Sequence, residues 1–389
     1  MTDHANSRTR EVPAPDRLST GRTLAPDLGR GLMLALIAVA NVMIYLVDRP
    51  YGFRQHIIED GVLDHVASTI VVTLVDGRIY PLFAFFFGYG LVQMQARRGA
   101  SAGRRVLRRR SALLILFGAV HGVLLFPGDI LGWYGVVGLL LVPLLARPDR
   151  NLLRIAAIWL LPAAIVTGLV QGSATGPTRQ RSFFWSFEID DPAVALAWRA
   201  VEWVAAPFGL LPVVTAALVG VVAARHRVLE DPVAHLRLLR RTATTGLVLA
   251  VAGGLPSGLI VGGWVAAPGV APSCVLATLH AVTGVAGGLG MAAAVGLLAR
   301  RPRVRTSRAV AAVAATGRRS LSAYLSQSVV FVLLLTLPLG GLGAHLGTFS
   351  AAVVALAVWV LAVLGSAGLD RAGRQGPAEW LMRRLLHQR

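Results

Sequence analysis

Apolar residues run along this chain in long unbroken blocks. They do not alternate as in half-buried strands, nor form the single stripe of a water-soluble helix. A helix needs roughly 17–25 predominantly apolar residues to cross a bilayer. Ten blocks approach that length: Gly31 to Val47, Tyr80 to Gln95, Ser111 to Phe126, Ile130 to Ala146, Leu153 to Val170, about Ala205 to Ala223, Thr244 to Trp264, Val275 to Leu298, Leu321 to Leu337 and about Ser350 to Ala367. The third and fourth are short, joined by Pro127-Gly128, and suit tilted or partly re-entrant helices. Leu63 to Leu74 is apolar but carries Asp64 and His65, and reads as an interfacial helix or an extension of the second block. The pattern predicts an all-α, polytopic integral membrane bundle of about ten transmembrane helices.

Composition agrees. Of 389 residues, 55% are hydrophobic and 15% charged, against about 25% charged in a soluble domain. The net charge is +19, and every basic residue other than histidine is arginine. Such a balance would suit nucleic acid, but the arginines fall in clusters between apolar blocks, which excludes a continuous basic face. Arg97, Arg98 and Arg104 to Arg110, then Arg147 to Arg154, Arg225 to Arg241 and Arg300 to Arg308 occupy alternate loops. The positive-inside rule makes those loops cytoplasmic, together with tails bearing Arg22, Arg30, Arg383 and Arg384. An even number of crossings agrees with both termini lying inside. The organisation expected is a disordered cytoplasmic tail over 1–26, a bundle over 27–370 and a cytoplasmic segment over 371–389. The polar, Arg- and Pro-rich N-terminus does not read as a signal peptide.

Cys274 is the single cysteine, so neither an intrachain disulfide nor a cysteine-based metal site is expected. No phosphate-binding glycine loop, zinc spacing or nucleophile elbow is present. Chemistry must then rest on polar groups inside the apolar blocks, where an ionisable side chain costs about 2.5–3.5 kcal/mol at a helix centre. Arg30 and Asn41 are eleven residues apart, close to three turns, and so share a face roughly 16 Å apart. Asp27 either caps the first helix while Arg30 reaches lipid headgroups, or both serve a site. His121 precedes the Pro127-Gly128 turn and Asp129 follows it, so a hairpin can bring imidazole and carboxylate together as an oriented general base. A cap at Asp129 and a packed, neutral His121 is the alternative. His280 shares the outer half of the bilayer with Asn41, His121 and Asp129, while Tyr324 and Gln327 lie near mid-membrane on the following helix. Arg78 is placed within reach of the external interface.

The longest external loop, about Gln171 to Glu202, combines Phe183, Phe184, Trp185 and Phe187 with Glu188, Asp190 and Asp191. It suits an amphipathic element in the interface, or a lid. Gly253-Gly254 with Pro256, and Gly284 through Gly290, are candidates for broken helices.

Several phrases, taken in order, resemble one family. They are Asp27-Leu28-Gly29-Arg30-Gly31 with Asn41, Tyr80-Pro81-Leu82-Phe83 leading to Phe87-Gly88-Tyr89-Gly90, and Phe117-Gly118 with His121-Gly122. Gly128-Asp129-Ile130-Leu131, Tyr134-Gly135, Gly317-Arg318, Ser320-Leu321, Tyr324 with Gln327-Ser328, and Gly376-Pro377 with Glu379-Trp380 and Arg383 complete the set. The chain is similar to YeiB-type bacterial membrane proteins, whose C-terminal half is a domain of unknown function, and more distantly to transmembrane acyltransferases. The likeness implies a multi-pass protein of the bacterial plasma membrane. It also implies acyl transfer from a cytoplasmic acyl-CoA-like co-substrate, with no bound cofactor. In many of those acyltransferases the first helix carries an arginine followed eleven residues later by histidine; here Arg30 matches and Asn41 stands at the second position. Under that reading His121, Asp129 and Asn41 are catalytic, with Arg30, Arg78, His280, Tyr324 and Gln327 binding substrate. The alternative is a transporter or efflux protein for a small or lipidic molecule. Partners are membrane lipids and a small or lipid-like substrate, with no nucleic acid; the sequence leaves oligomeric state open.

Overall fold

The computed structural model describes residues 24–336 and 339–387. The expected tail therefore lies outside the described residues, apart from Leu24 to Pro26, which already belong to the first helix. The described residues form fifteen α-helices and no strand; Tyr51 makes isolated bridges to Ile57 and Thr178. In chain order, α1 is Leu24–Val42, α2 Val62–Leu74, α3 Ile79–Ala96, α4 Ala100–Leu124 and α5 Leu131–Leu144. Next come α6 Asp149–Gly172, α7 Pro192–Ala205, α8 Val213–Arg225, α9 Leu236–Val261 and α10 Val270–Ala299. The one-turn α11 Pro302–Arg305, α12 Arg308–Arg318, α13 Ser320–Leu335, α14 Thr348–Arg371 and α15 Pro377–His387 complete the series.

Six helical rods among the described residues are long and apolar enough to cross a membrane: Leu24–Tyr45, Val62–Ala96, Asp149–Gly172, Leu236–Val261, Val270–Ala299 and Thr348–Arg371. A seventh is added if the bent pair Pro192–Gly209 and Val213–Arg225 is one span. The other apolar blocks also lie on helices but are shorter. α5 has 14 residues and α13 has 16, while α4 spends its first turns on arginines before its apolar part begins at Ser111. Leu63 to Leu74 belongs to α2, which joins α3 in one 35-residue rod interrupted at residues 75–78. The continuous sixth span expected from about Ala205 is corrected. Pro207 and Pro212 interrupt the backbone ladder, and α7 and α8 meet at 62°.

Neighbouring helices approach through small residues, as in bundles whose surroundings are as apolar as their side chains. A Cβ on Gly88 of α3 would overlap the Ala217 carbonyl of α8, and one on Gly220 of α8 would overlap the Phe85 carbonyl of α3. Similar close packing governs α9 and α10. Gly253, Gly254 and Pro256 lie within an unbroken α9, and Gly284 through Gly290 within an unbroken α10, so the expected helix breaks are absent there. Large apolar side chains left uncovered, such as Ile158, Leu161 and Leu169 on α6 and Val360, Leu361 and Leu364 on α14, face outward. In water such a surface would drive aggregation; in lipid it costs nothing.

Candidate functional site

The α4–α5 hairpin builds the first polar centre. α4 ends at Leu124, where Leu125 N–H and Phe126 N–H both donate to the His121 carbonyl. Gly118 allows the hairpin to close, because a Cβ there would strike Gly132. The turn then places Asp129 so that His121 Nδ1–H donates to Asp129 Oδ1 at 2.8 Å. Asp129 Oδ2 accepts from Gly132 N–H at 2.7 Å, in the first turn of α5, and from Trp203 Nε1–H at 3.4 Å. Helix cap and histidine orienter are thus one carboxylate. The arrangement fixes the His121 tautomer, with the proton on Nδ1 and a lone pair on Nε2. Nε2 has no hydrogen-bond partner although His121 is 2% exposed.

Two cavities approach this layer from opposite ends of α1. The larger, about 750 Å³, begins at Pro26, Asp27 and Arg30 and is rimmed by Arg97, Arg98, Arg110, Arg227, Arg318 and Arg383. Its depth is aromatic and aliphatic, with Met33, Phe83, Phe86, Phe87, Leu114 and Leu131, and reaches Tyr134 and Tyr324. The Tyr324 ring packs on His121 with centroids 5.0 Å apart. Arg30 faces this cavity rather than lipid; it donates to Asp27 at 3.5 Å and to the Phe86 carbonyl at 3.4 Å. α15 supplies one wall with Met382, Arg383, Leu386 and His387. It is anchored by Glu379, which accepts from Leu321 N–H at 2.8 Å, Ser322 N–H at 3.2 Å and Ser322 Oγ–H at 2.5 Å. The segment after 371 therefore folds back on the bundle.

The smaller cavity, about 180 Å³, lies at the other end of α1, against Ala40, Met43 and Ile44. The long loop covers it: Phe183, Phe184 and Arg181 line the cavity, and Phe187 packs on Tyr45. Trp203 of α7 reaches Asp129. The loop is thus packed onto the bundle rather than spread along its edge. In the loop, burial pushes the Arg181 pKa below its ordinary value, opposed by Tyr51 and Glu188. Burial, together with its bond to Glu188, holds the Tyr51 hydroxyl protonated above its usual range.

A second polar centre fills the break between α2 and α3. Arg78 is fully buried, not at an interface as expected. Its guanidinium donates to the Asp76 carbonyl at 2.6 Å and the Ala250 carbonyl at 2.9 Å, and contacts His280 Nε2. Gly254 and Gly287, on α9 and α10, leave the room it occupies. Arg54 donates to the Asp76 carboxylate at 2.6 Å. Of the residues expected at one site, then, His121, Asp129 and Tyr324 meet, whereas Arg78 and His280 meet each other at a different centre. Asn41 is buried with its Oδ1 unpartnered and makes no hydrogen bond to His121 or Asp129. Gln327 donates to the Leu34 carbonyl at 3.3 Å. Arg54, Asp76 and Arg181 had no local signal in the sequence beyond their charge. No group of three or more His, Cys, Asp or Glu among the described residues suits a metal.

Residues 223–389 match the model of a protein family of unknown function, DUF418. The chain is 27% identical to the uncharacterized protein YxaH of Bacillus subtilis over 354 residues, 82% of each chain. It is 27% identical to the uncharacterized protein YeiB of Escherichia coli over 326 residues, 78% of this chain and 80% of that one. The chain is thus similar to YeiB-type proteins along most of its length, and its C-terminal part matches the DUF418 model. An uncharacterized 39.9 kDa protein from an amylase 3′ region of Bacillus acidopullulyticus shares 32% identity over 120 residues, 30% of this chain and 32% of that one. The family match covers α9 to α15, which carry His280, Tyr324 and Glu379; the His121–Asp129 hairpin lies ahead of it.

Proposed function

We propose that this protein is a membrane acyltransferase of the bacterial plasma membrane, working between its two cavities. Supporting this is the buried His121, oriented by Asp129 through Nδ1 and with Nε2 unpartnered. The arginine-rimmed end faces the cytoplasm under the positive-inside rule, with about ten crossings and both termini inside. Arginine guanidiniums at that rim suit the phosphates of an acyl-CoA-like donor, and the aromatic depth suits its acyl chain. A volume near 750 Å³ falls within the usual range for small-molecule sites.

In this reading Tyr324 is the gate between donor and base. His121 Nε2 takes the proton of an acceptor hydroxyl or amine as that oxygen or nitrogen attacks the thioester carbonyl. The carbon–sulfur bond breaks, and the imidazolium returns the proton to the departing thiolate. Asp129 stabilises the transient imidazolium and keeps the tautomer. Arg30 holds the donor and takes no part in proton transfer.

The decisive experiment is calorimetric titration of the purified protein with acetyl-CoA and longer acyl-CoAs, followed by thiol release in the presence of amines and polyols. Saturable binding weakened by Arg30→Ala, with thiol release lost in His121→Ala, is the expected result. Absence of binding for every acyl-CoA would sink the proposal. Transport is the second reading, favoured by two cavities at opposite ends of α1 separated by a closed polar layer. Movement of a molecule across sealed vesicles without covalent change would establish it instead.

A further inference from the structure

The smaller cavity is lined by two buried guanidiniums with donors that nothing among the described residues accepts. Arg54 is 8% exposed; Nη2 is bonded to Asp76, while Nε and Nη1 have no partner. Arg181 is 6% exposed, and its two terminal nitrogens donate to the carbonyls of Met43, Ile44 and Leu46 at 2.6–3.1 Å. Its Nε is unpartnered. Both arginines line the same cavity, whose one lining carboxylate is Asp76; Glu188 and Glu202 act on Arg181 from outside that lining. A buried N–H on a cation without an acceptor is destabilising. The backbone adds to the cost. Arg54 and Gln55 both sit at positive φ, 57° and 63°, a left-handed conformation that strains non-glycine residues. Backbone bonds from Arg54 N–H to the Ala174 carbonyl, and between Tyr51 and Thr178, hold that conformation. Gln55 is clamped to Ser182 through both its side-chain oxygen and nitrogen. The fold thus imposes strain at the residue whose donors are left open.

We infer that this cavity is a binding site for a small oxyanion, a carboxylate or a phosphate carried on a short apolar body. The guanidiniums of Arg54 and Arg181 hold the anionic oxygens; their open nitrogens are closed off from the cavity and turn toward the ligand as it enters, gaining the missing acceptors. The apolar part rests on Ala40, Met43, Val71 and Leu210. A volume near 180 Å³ admits a headgroup or a molecule of a few carbons, not a long chain. The same chemistry is available in a free organic acid or phosphate and in the headgroup of an anionic lipid. The inference stands on the cavity's own donors and does not depend on acyl transfer at His121.

The test uses the full-length protein. Butyrate and butyl phosphate are titrated by calorimetry in detergent. Retention of phosphatidylglycerol against phosphatidylcholine is measured by native mass spectrometry after reconstitution in nanodiscs. Arg54→Gln removes the two open donors. Ala206→Phe fills the cavity from its wall and leaves both arginines in place, so it remains informative if the first variant misfolds; a monodisperse elution profile certifies each. Saturable binding of either soluble probe, weakened about tenfold or more by both folded variants, establishes a site for free oxyanions. Selective retention of phosphatidylglycerol that both variants lose, without binding of the soluble probes, assigns the site to a headgroup. No binding of any probe, or unchanged binding in folded Ala206→Phe, overturns the inference.

Discussion

Two histidines are buried in this molecule to the same degree, and their surroundings make them opposites. His121 gives its Nδ1 proton to a carboxylate and leaves Nε2 open beside a tyrosine that lines a large cavity. His280 has its Nε2 pressed against the Arg78 guanidinium, which is also bonded to the carbonyls of Asp76 and Ala250. The same Nε2 lies 3.0 Å from the Asp76 carbonyl, so guanidinium and carbonyl together hold that edge of the ring, and Nδ1 faces no partner. In the proposed function the ring hydrogen-bonded to a carboxylate moves protons, and the ring packed on an arginine holds helices together. Depth and residue type alone do not separate the two roles. The identity of the immediate neighbour does.

The comparison can be broken in stages. The largest expected effect is on His121: alanine there should lower thiol release from acyl-CoA by about 10³-fold, with donor affinity measured by calorimetry unchanged. Retained turnover would make His121 a packing residue like His280. Next is Arg78→Met, which should destabilise the bundle by about 3 kcal/mol, because three buried partners lose their donor. Thermal unfolding in detergent reads that loss, and the folded fraction should keep its transfer rate. Asp129→Asn should follow, slowing transfer by about 10²-fold through the wrong His121 tautomer while keeping the Gly132 contact; the rate at saturating donor should fall, not the affinity. The smallest effect is expected for His280→Gln, about 1 kcal/mol of stability and no change in transfer rate. A rate loss there would erase the distinction between the two centres.

Much of the helical framework was legible because apolar blocks that long have few alternatives to a helix. The number of crossings was less legible. α5 and α13 are apolar but shorter than a bilayer span, and α7 and α8 part at prolines inside one apolar block. The His121–Asp129 contact was readable because eight residues and a Pro-Gly turn separate the partners, which makes the encounter local. The Arg54–Asp76–Arg78–His280 centre was not readable. It draws on a loop, a helix break and α10, more than two hundred residues away in the case of His280. Helical spacing put Arg30 and Asn41 on one face, but spacing says nothing about what stands opposite that face, and Asn41 found no bond to the histidine pair. Arg78 was misplaced for the same reason. An arginine flanked by apolar sequence reads as one reaching for water, whereas Gly254 and Gly287 leave a buried chamber for it.

The wall that α15 contributes to the larger cavity also has a meaning in time. Roughly 350 residues separate Pro26, at one side of that cavity, from Pro377, where its last wall begins. At ribosomal speeds of about 5–20 residues per second, that interval is roughly 20–70 s. For most of it, Arg30 of α1, Arg97 and Arg98 after α3, and Arg110 of α4 are already made while the surface that will enclose them is not. The chamber is therefore assembled late, and Glu379 is the latch that shuts it.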